Sequence, residues 1–121
     1  MPDVSAPVRK HKRIQKTCEV EYSSSVNNES YKGVTENFSV DGLFLRADDL
    51  LPLQSEISIV LHIPYGSTSQ LKGVVRRVYD VIYDAASSGH AYKGGMGIEI
   101  TERDSHYMRF FISLLSGSLA F

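Results

Sequence analysis

The sequence predicts an all-β fold with a C-terminal helix, a six-stranded antiparallel barrel closed by its last segment. Three observations predict it. Between residues 17 and 100 apolar residues recur at every second position in short runs, the period of half-buried strands. The runs are separated by turn signals at hairpin spacing, with no helical pattern between them to carry a crossover. A helical period appears once, at the end of the chain. Short strands joined by hairpins leave open edges in a flat sheet, and closure into a barrel removes them.

With 121 residues the chain has the length of one domain, enough to bury about two-thirds of its unfolded surface. Its 42% apolar and 22% charged residues are the composition of an ordinary folded domain. Residues 1–8 contain Pro2 and Pro7 without apolar periodicity and read as a flexible arm. Order is expected from about Ile14. In the first strand Cys18, Val20 and Tyr22 face one side and Thr17, Glu19 and Glu21 the other. A polar loop, 23–30, leads to a second strand at about 31–40 and a third at about 43–47. Between them Asp41-Gly42 is a strong hairpin signal, with both residues expected at φ > 0.

After a connection through Pro52, Ile57, Ile59, Leu61 and Ile63 alternate with polar or smaller residues in a fourth strand, stopped by Pro64-Tyr65-Gly66. A fifth, at about 70–83, is long enough to bend. Met96, Ile98 and Ile100 form the sixth, preceded by Gly94-Gly95, which together with Gly97 reads as a bend, a bulge or a place of close approach. In residues 103–115 the period changes to three and four. Tyr107, Met108, Phe111, Ile112 and Leu115 make the apolar stripe of a helix that packs on the barrel. Thr101 is the expected cap, Asp104 the acid of its capping box, and Gly117 the stop.

Several kinds of chemistry are excluded. His11, His62, His90 and His106 are scattered, and the lone Cys18 has no companion, so no metal-ligand spacing exists. Ser39 lies in no nucleophile elbow and has no marked base. The glycines at 94–97 precede a strand, so they lack the helix N-terminus of a phosphate loop. No catalytic constellation is found, and the chain is expected not to be an enzyme. The single cysteine, the absence of a signal-peptide stretch and the lack of a membrane-length apolar run lead to the expectation of a cytoplasmic protein.

Charge divides the chain. The net charge is −1, but residues 1–16 hold Arg9, Lys10, Lys12, Arg13 and Lys16 against Asp3, a local +4, leaving −5 on the rest. Arg9 and Arg13 are planar donor forks suited to phosphate oxygens and the guanine edge. Alone, this cluster reads more readily as a solvated basic tail. In Asn37-Phe38-Ser39-Val40-Asp41-Gly42, Asn37 and Ser39 share a strand face beside a turn that Gly42 permits. Alone, that is ordinary strand and turn chemistry.

Together, Arg9-x-x-x-Arg13 followed by Asn37-x-Ser39-x-x-Gly42 resembles the signature of the PilZ domain family, bacterial receptors for cyclic di-GMP. Leu43-Phe44-Leu45, the Pro52 turn, Gly95-Met96-Gly97-Ile98-Glu99 and the closing helix are similar as well, so the likeness covers about residues 9–115. It implies a PilZ-like split barrel at 9–116, with an arm at 1–8 and a tail at 117–121. It also implies cyclic di-GMP as ligand, with Arg9 and Arg13 contacting phosphates and guanines and Asn37 and Ser39 hydrogen-bonding a guanine, while Gly42 shapes the turn. Lys10, Lys12, Asp41 and Gly97 are secondary candidates for the same site.

The implied function is that of a small adaptor. Its arm orders on the ligand, and the new surface signals to a protein partner in motility, biofilm or secretion machinery. One rival is a small barrel that binds RNA or single-stranded DNA through the basic arm. The acidic body and the lack of an aromatic-lined basic groove argue against nucleic acid. Another rival is an interaction module indifferent to ligand.

Overall fold

The computed structural model describes residues 14–64, 66–80, 83–85 and 90–115. Nine strands and one helix follow in order among them: β1 (Ile14–Gln15), β2 (Glu19–Ser24), β3 (Ser30–Phe38), β4 (Gly42–Ala47), β5 (Glu56–Ile63), β6 (Ser67–Tyr79), β7 (Tyr83–Ala85), β8 (His90–Tyr92), β9 (Gly94–Arg103) and α1 (Ser105–Leu115). Six of them close into an antiparallel barrel in the order β3-β2-β5-β6-β9-β4, with β4 pairing back onto β3. The short β1 pairs with the end of β3, past the residues that β2 pairs with, and β7–β8 form a separate two-stranded sheet. That sheet has no counterpart in the sequence reading, because three residues per strand are too few to show a period.

The barrel fills as the alternation demands. Val20 and Tyr22 of β2, Leu43 and Leu45 of β4, Ile57, Ile59 and Leu61 of β5, and Met96, Ile98 and Ile100 of β9 all point inward and are buried. The core continues under α1. Tyr107, Phe110 and Phe111 are buried, and the Phe38 ring lies 5.7 Å from Phe110 and 6.1 Å from Tyr107. An eleven-residue helix is marginal by itself in water, so this packing is what holds it. Each such aromatic contributes about 1.5–3 kcal/mol on burial.

Three local expectations are corrected. The Ser39–Gly42 turn has Val40 and Asp41 as its central residues, and the positive φ values among the described residues are at Gln54 and Gly66. Gly42 is already in β4 as the partner of Glu99 in β9, so barrel closure moves the turn one residue earlier. The helix cap is Asp104, whose Oδ1 accepts the Tyr107 N–H at 3.0 Å, whereas Thr101 donates to the Lys72 carbonyl because β9 runs on to Arg103. The buried helix stripe is Tyr107, Phe110 and Phe111, and Ile112 and Leu115 are exposed at 56% and 43%. The packed face is the one that meets Phe38, where Tyr107 and Phe110 lie against its ring.

The 94–97 segment is continuous strand, paired with both β4 and β6, and the irregularity sits opposite it in β6, where the register shifts between Val75 and Arg77. The long strand carries bulges here and at Lys72/Gly73. The expected close approach is real. A Cβ on Gly95 would stand 2.3 Å from Cζ of Phe44.

Candidate functional site

The N-terminal half of the motif, Arg9, Lys10, Lys12 and Arg13, lies outside the described residues. The chain is described from Ile14, and its first two residues fall beside the other half. Ile14 pairs with Phe38 and Gln15 with Asn37. This junction is held by Thr35, buried at 1% exposure. Its hydroxyl donates to the Lys16 carbonyl at 2.7 Å and accepts the Cys18 N–H at 2.8 Å. Burial pushes the Cys18 thiol up, against smaller opposing effects of Lys16 and Thr35.

At the end of β3 the ladder with β4 shifts between Thr35 and Asn37, so Glu36 is the extra residue of a bulge and accepts from Arg46 Nε at 3.0 Å. Beyond the bulge Phe38 points fully inward and half-buried Asn37 outward. Ser39 is 2% exposed. Its N–H donates to the Gly42 carbonyl at 2.7 Å and its hydroxyl to Asp41 Oδ1 at 3.0 Å, while its carbonyl accepts the Tyr107 hydroxyl at 2.5 Å. The Asp41 carbonyl accepts from Ile100 N–H at 2.9 Å, tying the turn to β9. The three candidates Ser39, Asp41 and Gly42 thus form one rigid turn, one residue from Asn37.

Registry continues this site across the barrel's outer face. Asn37 is opposite Phe44, Phe44 is opposite Gly97, and Gly97 is opposite Arg77, so four strands contribute one row. Gly97 keeps the row low. A Cβ there would meet the Cβ, Cγ and Cδ of Arg77 at 3.4, 3.7 and 3.9 Å, which means that the Arg77 stem lies along the glycine. Beside the row the Phe44 ring covers Gly95 and faces Tyr79 at 5.7 Å between centroids. The face is an open shelf with an amide, two aromatic rings and a guanidinium, suited to a flat ligand that carries both bases and anionic groups.

Arg77, Phe44 and Tyr79 are absent from the sequence-derived site. Arg77 could not be found by alternation, because the bulge sets Arg76 and Arg77 both outward and strict parity would send one of them into the core. Arg76 is engaged with Glu99 at 2.7 Å and Gln54 at 2.6 Å.

Other parts of the described structure offer less. A groove of about 390 Å³ on another side of the barrel is lined by Glu21, Ser58, Lys72, Glu102 and Asp104 among others, a mixed-charge surface remote from the motif. Among the described residues no three His, Cys, Asp or Glu side chains converge on a metal-sized site, and no helix is long and apolar enough to cross a membrane.

The fold is similar to that of the Bacillus subtilis inhibitor of motility MotI (TM-score 0.67, 19% identity, 98% of this chain and 57% of that one). It is also similar to the PilZ domain of Escherichia coli YcgR solved with c-di-GMP (0.67, 8% identity, 90% and 89%) and to the PilZ domain of CeSA from a cellulose-synthesizing bacterium (0.59, 20%, 88% and 96%). The chain therefore spans little more than half the length of MotI. No curated protein matches it in sequence. The PilZ domain model matches residues 7–116, a span that contains every strand of the barrel and the helix. The chain belongs to the PilZ domain family.

Proposed function

We propose that this protein is a non-enzymatic receptor for cyclic di-GMP that passes its ligand state to a protein partner. The observation that carries the proposal is the β1–β3 pairing. Ile14, next to Arg13 in the chain, pairs with Phe38, next to Ser39. Covalent geometry keeps Arg13 within one Cα step of Ile14, about 3.8 Å, and Arg9 within about 14 Å of Arg13. Both halves of the motif are therefore in reach of one ligand on the outer face.

In this reading Arg9 and Arg13 close over the shelf onto phosphates and guanines, and Asn37 and the Ser39–Gly42 turn meet a guanine edge. Arg77 supplies a further guanidinium at the far end of the row. Lys10 and Lys12 add charge near the phosphates. Membership in a family with a member solved with c-di-GMP, and likeness to an inhibitor of motility, support the ligand and an output through another protein. Closure of residues 1–13 on the ligand is the proposed signal.

Calorimetry with cyclic di-GMP tests this. A charged hydrogen bond is worth about 1.5–3 kcal/mol, so Arg9→Ala or Arg13→Ala weakens binding by about ten- to a hundredfold. Unchanged affinity in both variants refutes the clamp, and no binding by the wild type at micromolar protein refutes the receptor. A salt titration separates the reading from nucleic-acid binding, because a ligand with two phosphates gives a shallow log–log slope and a long polyanion a steep one.

A further inference from the structure

We infer that Tyr107 is a positioning residue of the nucleotide site, through which helix α1 and the ligand turn form one coupled unit; this rests on the receptor reading above. Tyr107 is fully buried, stacked on Phe111 at 6.3 Å and set against Phe38 at 6.1 Å. A phenylalanine would fill that space without the cost of desolvating a hydroxyl. The hydroxyl instead donates to the backbone carbonyl of Ser39, 68 residues away in sequence.

The turn makes that carbonyl the natural handle. Its closing bond uses the Ser39 N–H and the Gly42 carbonyl, and the Ser39 hydroxyl is directed to Asp41. The remaining polar atom of the Ser39 unit is held from the helix side. Rotation of the 39–40 peptide changes how Ser39 and Asp41 face the shelf, and it also breaks a buried hydrogen bond inside the core. The helix cannot follow freely, since Asp104 clasps its first turn to β6 by accepting from Ser69 Oγ at 2.6 Å and Gln70 N–H at 2.9 Å. A ligand that needs one geometry of the turn therefore favours one seating of α1, and by linkage the seating of α1 favours the ligand.

The test compares Tyr107→Phe, which keeps the ring and removes the hydroxyl, with Phe111→Leu, which loosens the same helix without touching the turn. Calorimetry with cyclic di-GMP is run below the melting temperature of each variant. Amide exchange of residues 110–112 is followed in the wild type with and without ligand. Loss of one buried hydrogen bond corresponds to about three- to tenfold in affinity, expected for Tyr107→Phe, with a smaller loss for Phe111→Leu, which loosens α1 but keeps the Tyr107–Ser39 bond. The wild-type helix amides are expected to exchange more slowly with ligand bound, and Tyr107→Phe to lose that protection. Equal affinity of Tyr107→Phe and wild type overturns the inference, as does an equal loss in Phe111→Leu. So do wild-type helix amides that ignore a ligand that binds. Failure of the wild type to bind at all instead removes the receptor reading, and this inference with it.

Discussion

Replacing Asp104 by alanine removes the carboxylate that fastens the first turn of the helix to β6. Its carboxylate caps α1 through the Tyr107 N–H at 3.0 Å, and it accepts from the Ser69 hydroxyl at 2.6 Å and the Gln70 N–H at 2.9 Å. Loss of an N-cap costs about 0.5–2 kcal/mol. Ser69 is 0% exposed and its hydroxyl donates to Asp104, so stranding it adds about 1–3 kcal/mol. The sum, about 1.5–5 kcal/mol, is a large part of the 5–15 kcal/mol typical of a domain. For a chain of this size it lowers the melting temperature by roughly 10 °C.

Circular dichroism melts and urea titrations on wild type, Asp104→Ala, Ser69→Ala and the double variant measure it. The double variant should lose less than the two single losses together, because it leaves no unpaired hydroxyl. A shift under about 2 °C for Asp104→Ala would falsify the clasp, since solvent would then be replacing the carboxylate at little cost.

The same group sets an acid limit. Burial alone would raise the Asp104 carboxyl, but the bonds from Ser69, Gln70 and Tyr107, with His106 nearby, outweigh it and hold its pKa below the ordinary 3.8. A depressed carboxylate stabilises the fold above its unfolded pKa and loses that contribution as pH falls through the folded one. Melting temperature should therefore fall below about pH 4 in the wild type and with a shallower slope in Asp104→Asn, as a pH series of melts will show. Arg77→Ala should weaken cyclic di-GMP binding by about tenfold in calorimetry without changing the melting temperature, since the side chain is exposed. An unchanged constant removes Arg77 from the site. Cys18, buried with its thiol pKa raised, should resist a thiol reagent in the native protein and react at the rate of unfolding. Fast labelling of folded protein contradicts the burial of Cys18 just before β2.

What could be read from the chain alone is what depends on local period and local chemistry. A period of two is a property of the extended backbone, so the inward residues of β2, β4, β5 and β9 follow from the order of apolar residues. The paired motifs at Arg9–Arg13 and Asn37–Gly42 name their family because each is short and contiguous. Tertiary structure decided whatever depends on a partner strand. Closure of β4 onto β3 moved the turn off Gly42 and put Asn37, Phe44, Gly97 and Arg77 in one row. Bulges at Glu36 and at Arg76–Arg77 reversed the parity on which alternation relies. The cap passed to Asp104 because β9 runs on to Arg103, and the packed stripe took in Phe110 because its ring meets Phe38. The hydrogen bond from Tyr107 to Ser39 spans 68 residues, and no local pattern can record a contact that exists only once the barrel is closed.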